Sequence, residues 1–210
     1  PGLMSAVVLL TGVYHLSRRR TVSLLWELLG VRMSVGAVRR IEKRMSEAVA
    51  SAVDEAWEHA RSAKIKHADG TSWLRAGVAL SLWVVATTAV TVFKVLDDGQ
   101  GETLRTKLFV KVCGVLVSDR ATALKFWAMK RRQICWAHLI RKFIAFSERD
   151  GPTGAFGKEL LDFTRVVFAY WSDYQHGKFG RAQLRAFMAP VRPQFEALLE
   201  RAKAAGIRGI

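Results

Sequence analysis

Two aspartates stand where chemistry could be done. Asp69 closes an alternating stretch, Lys64-Ile-Lys-His-Ala-Asp69, and Asp119 follows the compact apolar run Gly114-Val-Leu-Val-Ser118. Both stretches read as strands, which puts each carboxyl group at a strand's C-terminal end. In open α/β sheets ligands collect outside the carboxyl ends of the strands, so neighbouring strands would bring both side chains to one edge. Two carboxylates there repel each other unless a divalent cation joins them, and hard oxygen ligands suit Mg²⁺ or Mn²⁺. Cations held in this way serve in-line displacement at a phosphodiester. The plainer reading is that both residues only cap turns, as Asp does after many strands. Cys135 and His138 form a second pair. Two ligands alone do not make a zinc site, and Cys135 reads equally well as a small buried apolar residue. His138 reads equally well as a helix-start histidine.

The elements that must position these residues follow from periodicity. Residues 4–60 read as helical. Ser17 is placed to cap a helix running to Leu29, with Val22, Leu25, Leu28 and Leu29 on one side and Gly30 in the C-cap position. Ser34 is placed to cap the next helix, which has Val38, Ile41, Met45 and Val49 on one stripe and Arg39, Arg40, Lys43 and Arg44 on the rest of its surface. Two helices joined by a short turn, the second one basic, fit a helix-turn-helix, and equally a helical hairpin with a solvated face. Residues 64–69, 80–86 and 90–95 read as three strands, the last two forming a hairpin with a turn near 87–89. A short helix over 101–108 is expected next, then the strand 114–118, a helix over 120–129, a short strand 133–135 and a helix over 136–148. The order β-β-β-α-β-α-β-α predicts an α/β fold with a mixed sheet and helices on its faces. From Gly151 onward the pattern is helical, with Leu160, Val167 and Trp171 on one stripe and Phe195, Leu198 and Leu199 on another. Pro190 and Pro193 are expected to break the helix between them, and Gly206 to close the last one. The expected division is a helical segment over 1–62, a core over 63–150 and a helical segment over 151–210.

Composition bounds the partner. The chain of 210 residues carries 33 Lys+Arg against 18 Asp+Glu, a net charge of +15, while half of its residues are hydrophobic. A disordered tail is therefore excluded, and 16 Gly with 4 Pro exclude collagen-like repeats. Two cysteines, Cys113 and Cys135, cannot form a disulfide framework, which favours a reducing compartment. The positive charge attracts polyanions, nucleic acid first and an anionic membrane surface second. Residues 76–93 carry no charge, yet their Val and Thr content and the Thr87-Thr88 interruption favour a hairpin over a membrane span. The start, PGLMSAVVLL, lacks the basic region of a signal peptide, so a cytoplasmic protein is expected. Its first residue is Pro rather than Met, which suggests an excerpt from a longer frame. A second basic group, Lys130, Arg131, Arg132, Arg141 and Lys142, lies among Phe126, Trp127, Trp136 and Phe143, aromatics expected in the core rather than under bases.

The segments HADGTSW (67–73), GVLVSDR (114–120) and RRQICWAHLIRKF (131–143), in this order and spacing, resemble the bacterial insertion-sequence-66 transposases, a branch of the DDE transposases. The stretch 14–42 resembles that family's helical region upstream of the catalytic part, so the likeness runs over nearly the whole chain. It implies a ribonuclease-H-like core, double-stranded DNA at transposon ends and target as partner, and strand cleavage and transfer dependent on Mg²⁺ or Mn²⁺. It also implies Asp69 and Asp119 as the first and second metal-binding catalytic carboxylates. Cys135 and His138 match a Cys-x-x-His motif of related transposases. Two departures stand out. Gly70 replaces the family's acidic residue in His-x-Asp-Glu-Thr, and the third carboxylate's Asn-rich Glu-Arg motif has no match. Glu148, Glu159, Asp162, Asp173, Glu196 and Glu200 all lack that context. The expectation is a transposase fragment located at the nucleoid and inactive by itself. The alternatives are a non-catalytic DNA-binding module or regulator derived from such an element, one that could also pair with another copy, and a basic RNA-binding domain.

Overall fold

The computed structural model describes residues 2–207. They form two compact units, the first built from residues up to Leu116 with Thr122–Arg131, the second from Val117–Ala121 with the residues from Arg132 onward. The division runs through one strand, so each unit is taken by itself.

The first unit opens with four helices: α1 (Gly2–Val8), continued by a wide π-type turn over Leu9–Val13, α2 (Arg18–Leu29), α3 (Val35–Ala48) and α4 (Ala50–Ser62). Ser17 caps α2 by accepting the Arg20 N–H at 3.3 Å, and Ser34 caps α3 by accepting the Ala37 N–H at 3.1 Å. Gly30 ends α2 in the left-handed conformation, φ 64°. Val7, Leu25 and Val38 bury one face of α1, α2 and α3, with Leu10, Val22, Val31, Met33 and Ile41 around them. An ion pair between Arg18 and Glu42, 2.7 Å, joins α2 to α3 at the surface.

Strands β1 (Ile65–Arg75), β2 (Val78–Ala86) and β3 (Thr91–Leu96) follow as an antiparallel meander. The first strand is longer than expected, so Asp69 lies within it rather than at its end. The sequence cue misread there is the hairpin turn Ala76-Gly77. Both residues have positive φ, 49° and 82°, the left-handed pair that fits a two-residue hairpin. Strand alternation sorts the sheet's two faces. Ala68, Val85 and Val92 share one row and are all buried, whereas Asp69, Val84 and Phe93 share the next row on the opposite face, where Phe93 is exposed. The chain then makes one turn of helix, α5 (Gly101–Thr103), and a second π-type turn over Leu104–Leu108, which buries Leu104 and Leu108. Strand β4 (Val115–Ser118) begins at Gly114, φ 71°, where a Cβ would lie 2.5 Å from the Lys64 carbonyl oxygen. Only glycine allows that approach. No helix spans 120–129; single 3₁₀ turns at Thr122–Leu124 and Met129–Arg131 stand there, burying Leu124 and Trp127.

The strand order is β3-β2-β1-β4-β5, with β5 at Arg132–Ile134. The Val115 N–H donates to Lys64 just ahead of β1, and the Cys135 N–H just after β5 donates to Ser118 at the end of β4. Start meets start and end meets end, as parallel neighbours require. The sheet is therefore mixed, in an α/β chain.

The second unit is mostly helical: α6 (Trp136–Ser147), α7 (Gly151–Gln175), α8 (Arg181–Met188) and α9 (Val191–Ala204). Phe143, Phe146, Phe156, Leu160 and Ala202 form its core, with Phe195, Leu198 and Leu199 packed against them. Gly154 and Gly157, one turn apart on α7, let its backbone approach the chain leaving α6. A Cβ at Gly157 would lie 2.3 Å from the Ser147 nitrogen. Of the two prolines expected at the break, only Pro190 is there. Pro193 sits in the first turn of α9, where its missing N–H costs no helical hydrogen bond.

Candidate active site

Asp119 leaves the end of β4 into a short turn, which its own side chain caps: a carboxylate oxygen accepts the Ala121 N–H at 3.0 Å. Arg132 on β5 braces the same turn from behind, with Nη2 donating to the Asp119 carbonyl at 3.1 Å and to Ser118 Oγ at 3.4 Å. This cation is thus turned toward the backbone of the aspartate, and its Nε is buried without a hydrogen-bond partner. Helix α6 starts one residue after Cys135, whose carbonyl accepts the N–H groups of His138 and Leu139, both at 3.1 Å. That start brings the His138 ring to Asp119: a ring nitrogen and a carboxylate oxygen lie within 4.8 Å of each other. Nδ1 of His138 is buried and has no hydrogen-bond partner among the described residues.

Around this pair is a hollow of about 210 Å³ lined by Asp119, Arg120, Ile134, His138, Leu139 and Lys142. One carboxylate, one imidazole and two cations therefore face one space, close to the N-terminal end of a twelve-residue helix, whose dipole favours anions. The donor set fits a divalent cation. A carboxylate that accepts the Ala121 N–H keeps further lone pairs, and the buried imidazole nitrogen needs a partner. An imidazole in the set suits Mn²⁺ and other transition ions better than Mg²⁺. Cys135 does not line the hollow, and its side chain makes no cap hydrogen bond to α6. Of the Cys-x-x-His pair, only the histidine joins Asp119.

Asp69 belongs to the first unit and stands on the exposed face of β1, opposite Val84, with one oxygen accepting the Gly70 N–H at 3.0 Å. Gly70, on the other face, is covered by the Trp83 indole across the strand pair. A Cβ at residue 70 would lie 2.6 Å from Trp83 Cε2. The residue that departs from the family's acidic pattern is thus matched by a bulky ring in its place. Period-2 register between two hairpin strands was the signal for that pairing, and it needs the turn at Ala76-Gly77 to be recognised first.

The basic residues fall in separate places. Arg39, Arg40, Lys43 and Arg44 are all exposed on α3, Lys43 in a loose pair with Glu47 at 3.7 Å. Lys130 and Arg131 are exposed in a 3₁₀ turn, and Arg141 and Lys142 are exposed on α6. Several of the later carboxylates already have cationic partners: Glu159 with Arg201, Asp162 with Arg165, Asp173 with Lys178, Glu196 with Arg192 and Glu200 with Lys203.

The sequence matches the Transposase IS66 family over residues 1–207. The chain belongs to that family, whose members are DDE transposases of insertion sequences, and a divalent metal and DNA come with that class of activity. No curated protein matches it. Among the described residues, no helix is long and apolar enough to cross a membrane.

Proposed function

We propose that this chain binds double-stranded DNA at transposon ends and target, and supplies two of the metal-holding carboxylates, Asp69 and Asp119, for strand cleavage and transfer. The observation that carries this reading is the Asp119–His138 hollow in a chain that belongs to a transposase family. The strand order, three antiparallel strands with β4 and β5 added parallel to the first, supports a ribonuclease-H-like core within 63–150. Residues 1–62 are the DNA-binding helical segment, with Arg39, Arg40, Lys43 and Arg44 as phosphate contacts from a helix-turn-helix-like pair. Lys130, Arg131, Arg141 and Lys142 add further contacts, and Arg132 acts by bracing Asp119. Residues 151–210 are a helical addition. The protein works in the bacterial cytoplasm, at the nucleoid.

When bound, Mg²⁺ or Mn²⁺ supplies charge neutralisation at the phosphoryl oxygens and a more acidic attacking water. Asp119 and His138 would hold the ion, and Arg120 and Lys142 would attract the phosphate. No third carboxylate is assigned, so the chain by itself binds DNA and cation without measurable cleavage. Small positional errors at such a site cost orders of magnitude in rate.

The test combines binding and nicking of a labelled transposon-end duplex. Binding should weaken steeply with salt, and Arg39→Ala with Arg40→Ala should lower the log–log salt slope by about 2. Asp119→Asn should leave duplex binding unchanged. Binding that prefers RNA, or a slope indifferent to both arginines, would overturn the DNA assignment. Mn²⁺-dependent nicking by the unaltered chain, lost in Asp119→Asn, would overturn the inactivity while upholding the site. The second reading, a DNA-binding regulator, is favoured by the Gly70–Trp83 exchange beside Asp69. It requires that duplex binding persist with no affinity for Mn²⁺.

A further inference from the structure

Lys66 is fully buried in the first unit, three residues ahead of Asp69, and no carboxylate is paired with it among the described residues. Its ammonium group donates to the Arg61 carbonyl, to the Cys113 carbonyl at 3.1 Å and to Cys113 Sγ at 3.7 Å. The Cys113 thiol in turn donates to the same Arg61 carbonyl at 3.1 Å. The Trp127 ring, itself buried, lies 5.5 Å from the ammonium. A lone buried lysine is costly, and the usual compensation is an ion pair. Here the compensation is two carbonyls and a thiol, so a nitrogen nucleophile and an oxidisable sulfur lie side by side. Burial also lowers the lysine's proton affinity, against the opposing pull of Cys113, which makes the neutral amine easier to reach. Cys113 is only half-buried, so a small oxidant can reach it.

We propose that Lys66 and Cys113 form a reversible sulfur–nitrogen crosslink when the protein meets hydrogen peroxide. In the first step the Cys113 sulfur attacks the peroxide oxygen–oxygen bond. A sulfur–oxygen bond forms, the thiol loses its proton, and the other oxygen leaves as water. Sulfur is oxidised by two electrons and the peroxide is reduced by two. In the second step the neutral Lys66 amine attacks that sulfur. A sulfur–nitrogen bond forms, the sulfur–oxygen bond breaks, and the oxygen leaves as water with one amine proton. One thiol, one amine and one peroxide thus give a sulfenamide and two waters. The crosslink ties the start of β1 to the segment entering β4 and stops Cys113 from advancing to the irreversible acids. It is independent of the transposase reading, because no step involves Asp69, Asp119 or DNA.

The experiment is a peptide map of the intact protein after a small molar excess of hydrogen peroxide, without reductant, with dimedone added once the peroxide is spent to label any sulfenic acid that persists. The expected product is a Lys66–Cys113 peptide pair about 2 Da lighter than the sum of its parts, released by dithiothreitol. Cys135, to which no lysine is hydrogen-bonded among the described residues, should carry dimedone instead. Cys113→Ser should abolish the joined pair, and Lys66→Arg should convert Cys113 to the dimedone adduct. Should either variant fail to fold, the map of the unaltered protein still decides. Dimedone on Cys113 with Lys66 free, sulfinic or sulfonic acid at Cys113, or an untouched thiol would each overturn the proposal.

Discussion

Asp69 and Asp119 are the same side chain in opposite settings. Asp119 ends its strand, caps its own turn and opens onto a hollow with an imidazole and two cations around it. Asp69 stands midway along a strand that runs on to Arg75, on an exposed sheet face in a row with Val84 and Phe93. The first is a site that local structure has built, because the turn, the β5 arginine and the start of α6 all converge on it. The second is carried by a strand paired with β2 from His67 to Arg75.

The comparison breaks most directly on cation binding, followed by Mn²⁺ paramagnetic resonance or calorimetry. Asp119→Asn removes the carboxylate that lines the hollow and should weaken Mn²⁺ by about 100-fold, and His138→Ala by about 10-fold. Cys135→Ala should change nothing, since its side chain does not line the hollow. Equal losses from Cys135→Ala and His138→Ala would mean that the motif acts as a pair and that the hollow is the wrong place to look.

A second test bears on the Asp69 strand. Gly70→Ala drives a Cβ into a rigid indole and should destabilise the protein by about 1–3 kcal/mol, read from urea midpoints. Adding Trp83→Leu should recover most of that loss, a coupling expected only of residues in contact. Restoring the family's acidic residue at 70 alone should therefore harm folding rather than help the site. Simple additivity of the two substitutions would show that Trp83 does not constrain position 70.

What was legible beforehand was local. Ser17, Gly30 and Ser34 announced α2 and α3 because caps are short-range chemistry, and the hairpin expected over 80–86 and 90–95 from its Val and Thr content stands at 78–86 and 91–96. The misreadings came from longer-range effects. β1 outruns Asp69 because Ala76 accepts a positive φ in the turn, a strain that pairing along nine residue pairs holds in place. Residues 120–129 carry helix-forming Ala, Leu and Lys, yet Leu124 and Trp127 are drawn into the core as single turns. Asp119 and His138 were both visible as candidates. Their convergence was not, because nothing in the spacing of 119 and 138 states how β5 returns beside β4.

The smallest expected effect concerns the strand of Asp69 from its buried side. Burial pulls the Lys66 proton affinity below its ordinary 10.5, with Cys113 partly offsetting it. Between the folded-state pKa and 10.5, the unfolded chain therefore binds more protons than the native one, and stability rises with pH through that window. The contribution is complete above 10.5 and is lost as pH falls through the folded-state pKa. Lys66→Met keeps the volume and removes the titration, so its urea midpoint relative to the parent should be highest at neutral pH and should fall as pH approaches 10.5. Making the comparison in a Cys113→Ser background keeps the thiol out of it. A difference between the two proteins that stays flat with pH would mean that the ammonium costs the fold nothing.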